Sequence, residues 1–380
     1  MRDLSIRARS FVPLLLSLTA CDSRALSPDP GAGPVGPAQP QCDVNVRLQD
    51  PALDGAVRAA LGVPTGPIPP PAATELTELR ASGLGIRSLF GIQCFVNLQF
   101  IDLIQNEIAD ISPLADLVNL TELDLNENQV QSIAPLSRLT ALRELELTQN
   151  AVVDLRPLAG LVNLERLGLT DNAIQDLEPL RQLSNVRMLS VDGNAIHHIE
   201  PLTGLTNLGE LWLSRNPVTN LSPIALIPSL YSLTLADVPS ADLSTLTSSS
   251  LINIDLSHNT VPTLVRLPPQ PFLPSLKWIS FADSALGDAD INRLLPTLAA
   301  LDLESLVLTD NQISNLAPFA QTRTGNLYLT NNQIADLSPI LTLPSPPLLF
   351  VDVRTNPFDC GAQAATIAGA GPIYIYTDCP

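Results

Sequence analysis

The apolar residues of this chain recur in a nine-residue phrase, L-x-x-L-x-L-x-x-N, whose Asn falls at 106, 128, 150, 172, 194 and 216, always 22 positions apart. In one unit Leu120, Leu123 and Leu125 precede Asn128, and Val130, Ile133, Pro135, Leu136 and Leu139 follow it. The next repeats this as Leu142, Leu145, Leu147, Asn150, Val152, Leu155, Pro157, Leu158 and Leu161. The L-x-L alternation has the period of a strand, and the Pro marks a tight return turn. No unit of this length can bury its own apolar side, so consecutive units must stack. The recurring Asn sits where each strand ends, and its amide is placed to bond backbone groups of adjoining coils that would otherwise be buried and unpaired. Its role is structural.

The pattern loosens but continues to Asn259, Asn311, Asn332 and Asn356, giving thirteen predicted strands that begin at Leu76, Leu98, Leu120, Leu142, Leu164, Val186, Leu208, Leu230, Leu251, Leu276, Leu303, Thr324 and Leu348. Leu84, Val238 and Ser284 occupy the Asn slot in three units and are expected to mark local departures from the ladder. Residues 286–301, LGDADINRLLPTLAAL, have helical periodicity and predict a true helix on the convex side, preceded by a stiff Pro268-Pro269-Gln270-Pro271 loop. Upstream, Leu48, Leu53, Val57 and Leu61 predict a short amphipathic helix beginning after Asp50-Pro51, able to cover the open end of the stack. Before it, Ser27 to Gln41 is Pro- and Gly-rich without apolar periodicity and reads as an extended spacer.

The 22-residue units carrying Asn106-Glu107-Ile108-Ala109-Asp110-Ile111-Ser112-Pro113-Leu114 resemble the internalin-like subclass of bacterial leucine-rich repeats, over roughly Asp43 to Asn356. The resemblance implies an α/β-type solenoid: a right-handed horseshoe with a concave parallel β-sheet, short 3-10 turns on the convex side, N- and C-terminal caps, and a use in protein recognition. Asn356-Pro357-Phe358-Asp359-Cys360 is similar to the opening of such a C-terminal cap. The expected organisation is a signal peptide at 1–20, a lipidated Cys and linker at 21–41, a helical cap at 42–75, repeats at 76–356 and a C-terminal cap at 357–380. No cell-wall sorting signal is recognisable, so adhesion to host cells is not carried over from the resemblance.

The first residues support export. Arg2, Arg7 and Arg9 precede an apolar run from Phe11 to Ala20 that is too short to span a bilayer. Leu18-Thr19-Ala20-Cys21 then resembles a bacterial lipobox, with Cys21 as the lipidated residue; the alternative is an ordinary signal peptide with a chance Cys. Asp22 resembles an inner-membrane retention signal of some bacteria, which leaves periplasmic face and cell surface both open. With Cys21 set aside, Cys42, Cys94, Cys360 and Cys379 remain for an oxidising compartment. Position along the stack favours Cys42 with Cys94 and Cys360 with Cys379; a four-Cys metal site has no close Cys pair to build on.

A formal charge of −18, from 20 Lys plus Arg against 38 Asp plus Glu, excludes nucleic acid as a partner and disfavours a bare anionic lipid surface, so membrane contact is through the lipid anchor only. Mean hydropathy is +0.22 with 4% aromatic residues, so the apolar mass is aliphatic, as small stacked layers require. Strand alternation turns the third and fifth positions of each phrase toward the open face. This gathers Asp102, Glu122, Asp124, Glu144 and Glu146 on three adjacent strands, with Glu127 at the rim. Such a cluster steers a basic segment of a protein partner, with a calcium site as the lesser alternative; the competing reading is a solvated acidic face that keeps an aliphatic stack soluble. The same positions hold Met188, Trp212, Trp278 and Tyr328, with Arg215 on the rim beside Trp212, and these are the candidate anchors; Phe100 and Phe350 share the face, with Phe350 weakest because a cap can cover it. Singly exposed aromatics lying flat on the sheet are the plainer reading.

Catalytic chemistry finds no foothold. His197, His198 and His258 form no metal trio, and no G-x-S-x-G, H-E-x-x-H, P-loop or dinucleotide fingerprint occurs. The reading is a non-catalytic, cofactor-free protein-binding module on an envelope lipoprotein; the alternative is a passive structural envelope or matrix protein serving as a spacer.

Overall fold

The computed structural model describes residues 42, 46–238, 243–246, 248, 250–260, 273–342 and 348–379. The predicted signal peptide, Cys21, the linker and the Pro268–Pro271 loop lie outside the described residues.

Each phrase forms a three- to five-residue strand: β1 (Glu78–Arg80), β2 (Phe100–Asp102), β3 (Glu122–Asp124), β4 (Glu144–Glu146), β5 (Arg166–Gly168), β6 (Met188–Ser190), β7 (Glu210–Trp212), β8 (Ser232–Thr234), β9 (Asn253–Asp255), β10 (Trp278–Ser280), β11 (Leu303–Val307), β12 (Thr324–Tyr328), β13 (Phe350–Asp352) and, beyond the thirteen predicted, β14 (Tyr374–Tyr376). All pair in parallel with their sequence neighbours in one 14-stranded sheet. The residue between the third and fifth positions of each phrase points inward, as Leu123, Leu145, Leu167, Leu306 and Leu327 do, and the buried aliphatic residues of successive coils join in one continuous core. The return path of most coils is a 3-10 turn with Pro in its first turn, such as Ser112–Leu114, Arg156–Leu158 and Glu178–Leu180.

The asparagines stitch neighbouring coils as expected. Asn128 donates through Nδ2 to the carbonyls of Leu103 in the preceding coil and Leu125 in its own, while its Oδ1 accepts from Ile108 N. At the substituted slots the departures are local: strands pair in register through all three units, while the next Asn accepts through Oδ1 from the slot residue itself, Leu84 N (3.1 Å), Val238 N (2.9 Å) and Ser284 N (3.2 Å), and Gly85 and Ala285 just beyond two of the slots take positive φ.

Two regularities were not read from the sequence. The residue before each Asn slot adopts left-handed backbone, with φ from 46° to 59° at Gln105, Glu127, Gln149, Asp171, Arg215, Asp237, His258, Asp283, Asp310, Asn331 and Thr355. An outer ladder runs from Asn97, Asn119, Asn163, Asn185 and Asn207, each donating to a carbonyl 23 residues back.

Both ends are closed. Helix α1 (Pro51–Leu61) buries Leu53 and Val57 against the first coil. Its N-cap Asp50 accepts from Ala52 and Leu53 N–H with one oxygen and from Arg87 and Ser88 N–H with the other, tying cap to stack. Partial burial opposes the charge, but these four donors outweigh it and hold the carboxyl below its ordinary range. A single turn, α2 (Pro70–Ala73), leads into β1. The predicted convex helix is α3 (Asp288–Leu298), packed through Ile291, Leu294, Leu295 and Leu298. Helix α4 (Cys360–Gly369), capped by Asp359, precedes β14 at the far end. Disulfides join Cys42 to Cys94 and Cys360 to Cys379, the pairing that position favours. No helix among the described residues is long and apolar enough to cross a membrane.

Candidate binding face

Strand pleating places the third and fifth positions of every phrase on the outer side of the sheet, and parallel register lines them up in two columns. Glu122 stands opposite Phe100 and Glu144, and Asp124 opposite Asp102 and Glu146. The five acidic candidates therefore share one surface, with neighbours about 4.8 Å apart along the sheet.

Part of this acidity has a local structural use. Asp102 Oδ1 accepts from Ile104 N at 3.2 Å and from Ser82 Oγ, and Asp124 Oδ1 accepts from Asn126 N at 2.9 Å; each carboxylate closes the turn after its own strand. Compensating cations, missed as site residues in the sequence, lie at both ends of the patch. Arg166 faces Glu144 across β4 and β5, with Nε 4.0 Å from Glu144 Oε2. Arg80 faces Asp102 and lies 4.3 Å over the Phe100 ring. Among the described residues no group of three or more His, Cys, Asp or Glu has metal-binding geometry, and the calcium alternative gains no support from these contacts. His258 instead approaches Asp283 at 3.1 Å.

Glu146 differs from its neighbours. Position 168, opposite it on β5, is glycine, and a β-carbon there would collide with the Glu146 carboxylate, which leans across the vacant slot. That posture shields the group: burial, reinforced by the charges of Asp124 and Glu144 against the pull of Arg166, pushes its pKa up to about 7. Burial also raises Asp124, and raises Asp192 to about 6 despite the Ser214 N–H and Arg215 beside it.

These shifts predict a pH dependence of stability. The folded chain holds the Glu146 proton up to about pH 7, whereas the unfolded chain releases it near 4.5. Stability contributed by this site therefore falls as pH rises between those values, and the full penalty is present above them. The urea midpoint should drop from pH 5 to pH 8, and Glu146→Gln should shrink that drop; an unchanged drop in the variant would refute the assignment.

Glu146, Arg166, Leu167, Gly168, Met188, Ser190 and Trp212 line a shallow depression of about 230 Å³ on this face. The structure thus brings three predicted residues, Glu146, Met188 and Trp212, to one place, with Asp102, Glu122, Asp124 and Glu144 running away from it. Both indoles lie half-buried on the outer face and outside the aliphatic core. Arg215 is paired with rim Asp171 at 2.9 Å, spanning Gly193 of the coil between them. Trp278 stands apart, beside Asn253 and Ser305 and three strand spacings, about 14 Å, from Trp212. Tyr328 belongs to a second group that includes two residues of the unpredicted fourteenth strand: its ring is 5.5 Å from Phe350, which stacks on Tyr374 at 5.9 Å and lies 6.4 Å from Tyr376. Arg354 sits 4.2 Å over Tyr376. The cap flanks Phe350, which stays half-buried, and extends the aromatic surface, with Tyr374 62% exposed.

The family model for leucine-rich repeats in two copies matches residues 96–138 and 118–160. An internalin C2 from Listeria monocytogenes is 34% identical, over 58% of this chain and 98% of that one, with a TM-score of 0.54. The chain is a leucine-rich-repeat protein. An internalin (inlF) from Listeria monocytogenes is 26% identical over 87% of this leucine-rich-repeat protein and 95% of its own length, with a TM-score of 0.66. A leucine-rich-repeat protein of Leptospira interrogans shares the fold at 20% identity and a TM-score of 0.57, covering 80% and 84% of the two chains. No curated protein matches. Leucine-rich-repeat solenoids typically act as binding modules rather than catalysts, and the two disulfides fit an oxidising compartment.

Proposed function

We propose that this leucine-rich-repeat protein is an exported, lipid-anchored binding module that takes a protein partner on the outer, concave side of its sheet. The observation that carries the reading is the convergence of Glu146, Met188 and Trp212 on one depression beside a row of acidic residues. A half-buried indole beside a thioether supplies apolar contact area, and flanking carboxylates supply steering toward a basic segment. Trp278 and the Tyr328 group extend the same face as secondary contacts. Anchoring through Cys21 rests on the Leu18–Cys21 order, and catalysis has no support in any matched acid, base and nucleophile.

Two variants test the face against the passive-spacer alternative. Trp212→Ala should lower capture of envelope proteins about tenfold or more, as central aromatic anchors do, while leaving the thermal midpoint within about 2 °C. Reversing Glu122, Asp124, Glu144 and Glu146 together to Lys should remove the captured set, read by quantitative mass spectrometry. An identical set with both variants would favour the spacer.

A further inference from the structure

We infer that the depression over β4 to β7 receives a lysine or arginine side chain of the protein partner, its alkyl stem lying on Met188 and Trp212 and its cationic head meeting Glu146. The inference rests on the docking reading above and names the group that would be recognised.

Three features fix the chemistry. First, the position opposite Glu146 is the one outward strand slot of β2 to β7 that carries no side chain, and the Glu146 carboxylate lies across it into the depression. Second, that half-buried carboxylate keeps acceptor capacity for a ligand: among the described residues no backbone or side-chain donor hydrogen-bonds to it, and the adjacent cation, Arg166, has its closest ion-pair approach to Glu144 instead. Third, the opposite wall is Met188 and Trp212, a thioether and an indole, which favour an alkyl chain ending in a cation. An anionic occupant would meet Asp124, Glu144 and Glu146 together, and a purely apolar one would leave the carboxylate shielded and still unpaired. A basic side chain satisfies both halves of the site.

Proton linkage supports the same assignment. The charged groups around Glu146 are Asp124 on β3, Glu144 on its own strand and Arg166 on β5; Met188 and Ser190 on β6 and Trp212 on β7 contribute none. The net surrounding is anionic and shielded, so the empty site favours a protonated carboxyl near neutrality, and an arriving cation displaces that proton. Binding should therefore strengthen as pH rises through about 7.

The probe is a capped Gly-Lys-Gly tripeptide, titrated into the intact chain at constant ionic strength and read from the Trp212 indole resonance, assigned by Trp212→Phe. A saturable shift is expected, weaker by about tenfold or more when norleucine replaces lysine, and similarly weaker in Glu146→Gln. Affinity should rise about tenfold or more from pH 5.5 to pH 8 in the unaltered chain and stay flat in Glu146→Gln. Arg166→Gln, which removes the resident cation, should tighten binding. Equal binding of lysine and norleucine peptides, or unchanged lysine binding in Glu146→Gln, would overturn the inference. The two readings separate cleanly: loss of envelope capture in Trp212→Ala without peptide binding sinks this inference and leaves the docking face standing. Peptide binding with unaltered capture supports the pocket and removes the docking face.

Discussion

A chain in which Cys42 and Cys94 are both replaced by alanine loses about 4 kcal/mol of stability, by the loop-closure entropy of a bond spanning 52 residues. The loss concentrates at one end. The bond ties the segment before α1 to the 3-10 turn Ile92–Cys94 of the first coil, so α1 and β1 should exchange their amide protons faster while β5 to β7 keep theirs. The counterpart bond closes only 19 residues, and its removal should cost about 3 kcal/mol, felt at α4 and β14. Urea unfolding followed by circular dichroism gives the totals, and hydrogen exchange gives the location. A loss below about 1 kcal/mol for the first pair would mean that Asp50 and the apolar face of α1 hold the cap without the cross-link.

Asn216→Ala should cost about 3 kcal/mol. The side chain is 2% exposed, and its Nδ2 donates to the carbonyls of Val191, Leu213 and Ser214 while its Oδ1 accepts from Ile196 N. Alanine removes all four bonds at once and leaves backbone groups of two coils facing an apolar interior, where each unmet group carries its desolvation penalty. The outer ladder gives the control. Asn119 makes one exposed bond, to Val96 O at 2.9 Å, and its replacement should cost less than about 1 kcal/mol. Similar losses from the two substitutions would show that the inner amides act through side-chain volume and not through bonding.

The difference between these asparagines marks how far the sequence could be read. The inner Asn is visible because it punctuates an apolar period, and that period also placed the thirteen repeat strands, α1 and α3. Tyr374 and Tyr376 escaped because the last strand lacks the L-x-x-L-x-L frame, so their place beside Phe350 follows from chain path alone. The outward positions were legible for the same reason as the inward ones: strand alternation allows one only if the other is fixed. What alternation could not show is the sideways lean of a side chain. Glu146, Asp124 and Asp102 look alike as letters in a column, yet two bond their own turns and the third bends over Gly168. Gly168 was the available signal, since a missing side chain in an otherwise filled column makes room for a neighbour. Arg166 and Arg80 were likewise in view as column members, and register alone sets them against the acidic rows.

The left-handed residue at the end of each repeat strand has a consequence for evolution of the chain. Eleven non-glycine residues hold that conformation, including Arg215, His258 and the β-branched Thr355, where an L side chain costs about 1 kcal/mol or more. The hydrogen-bonded coil around each corner imposes the conformation regardless of the residue placed there. Side-chain identity at these corners is thereby freed from backbone preference, at a tolerable cost spread over many units. The line of corners bordering the sheet can vary in charge and size from coil to coil, as Glu127, Asp171, Arg215 and His258 already do, so a new rim can be drawn without redrawing the scaffold.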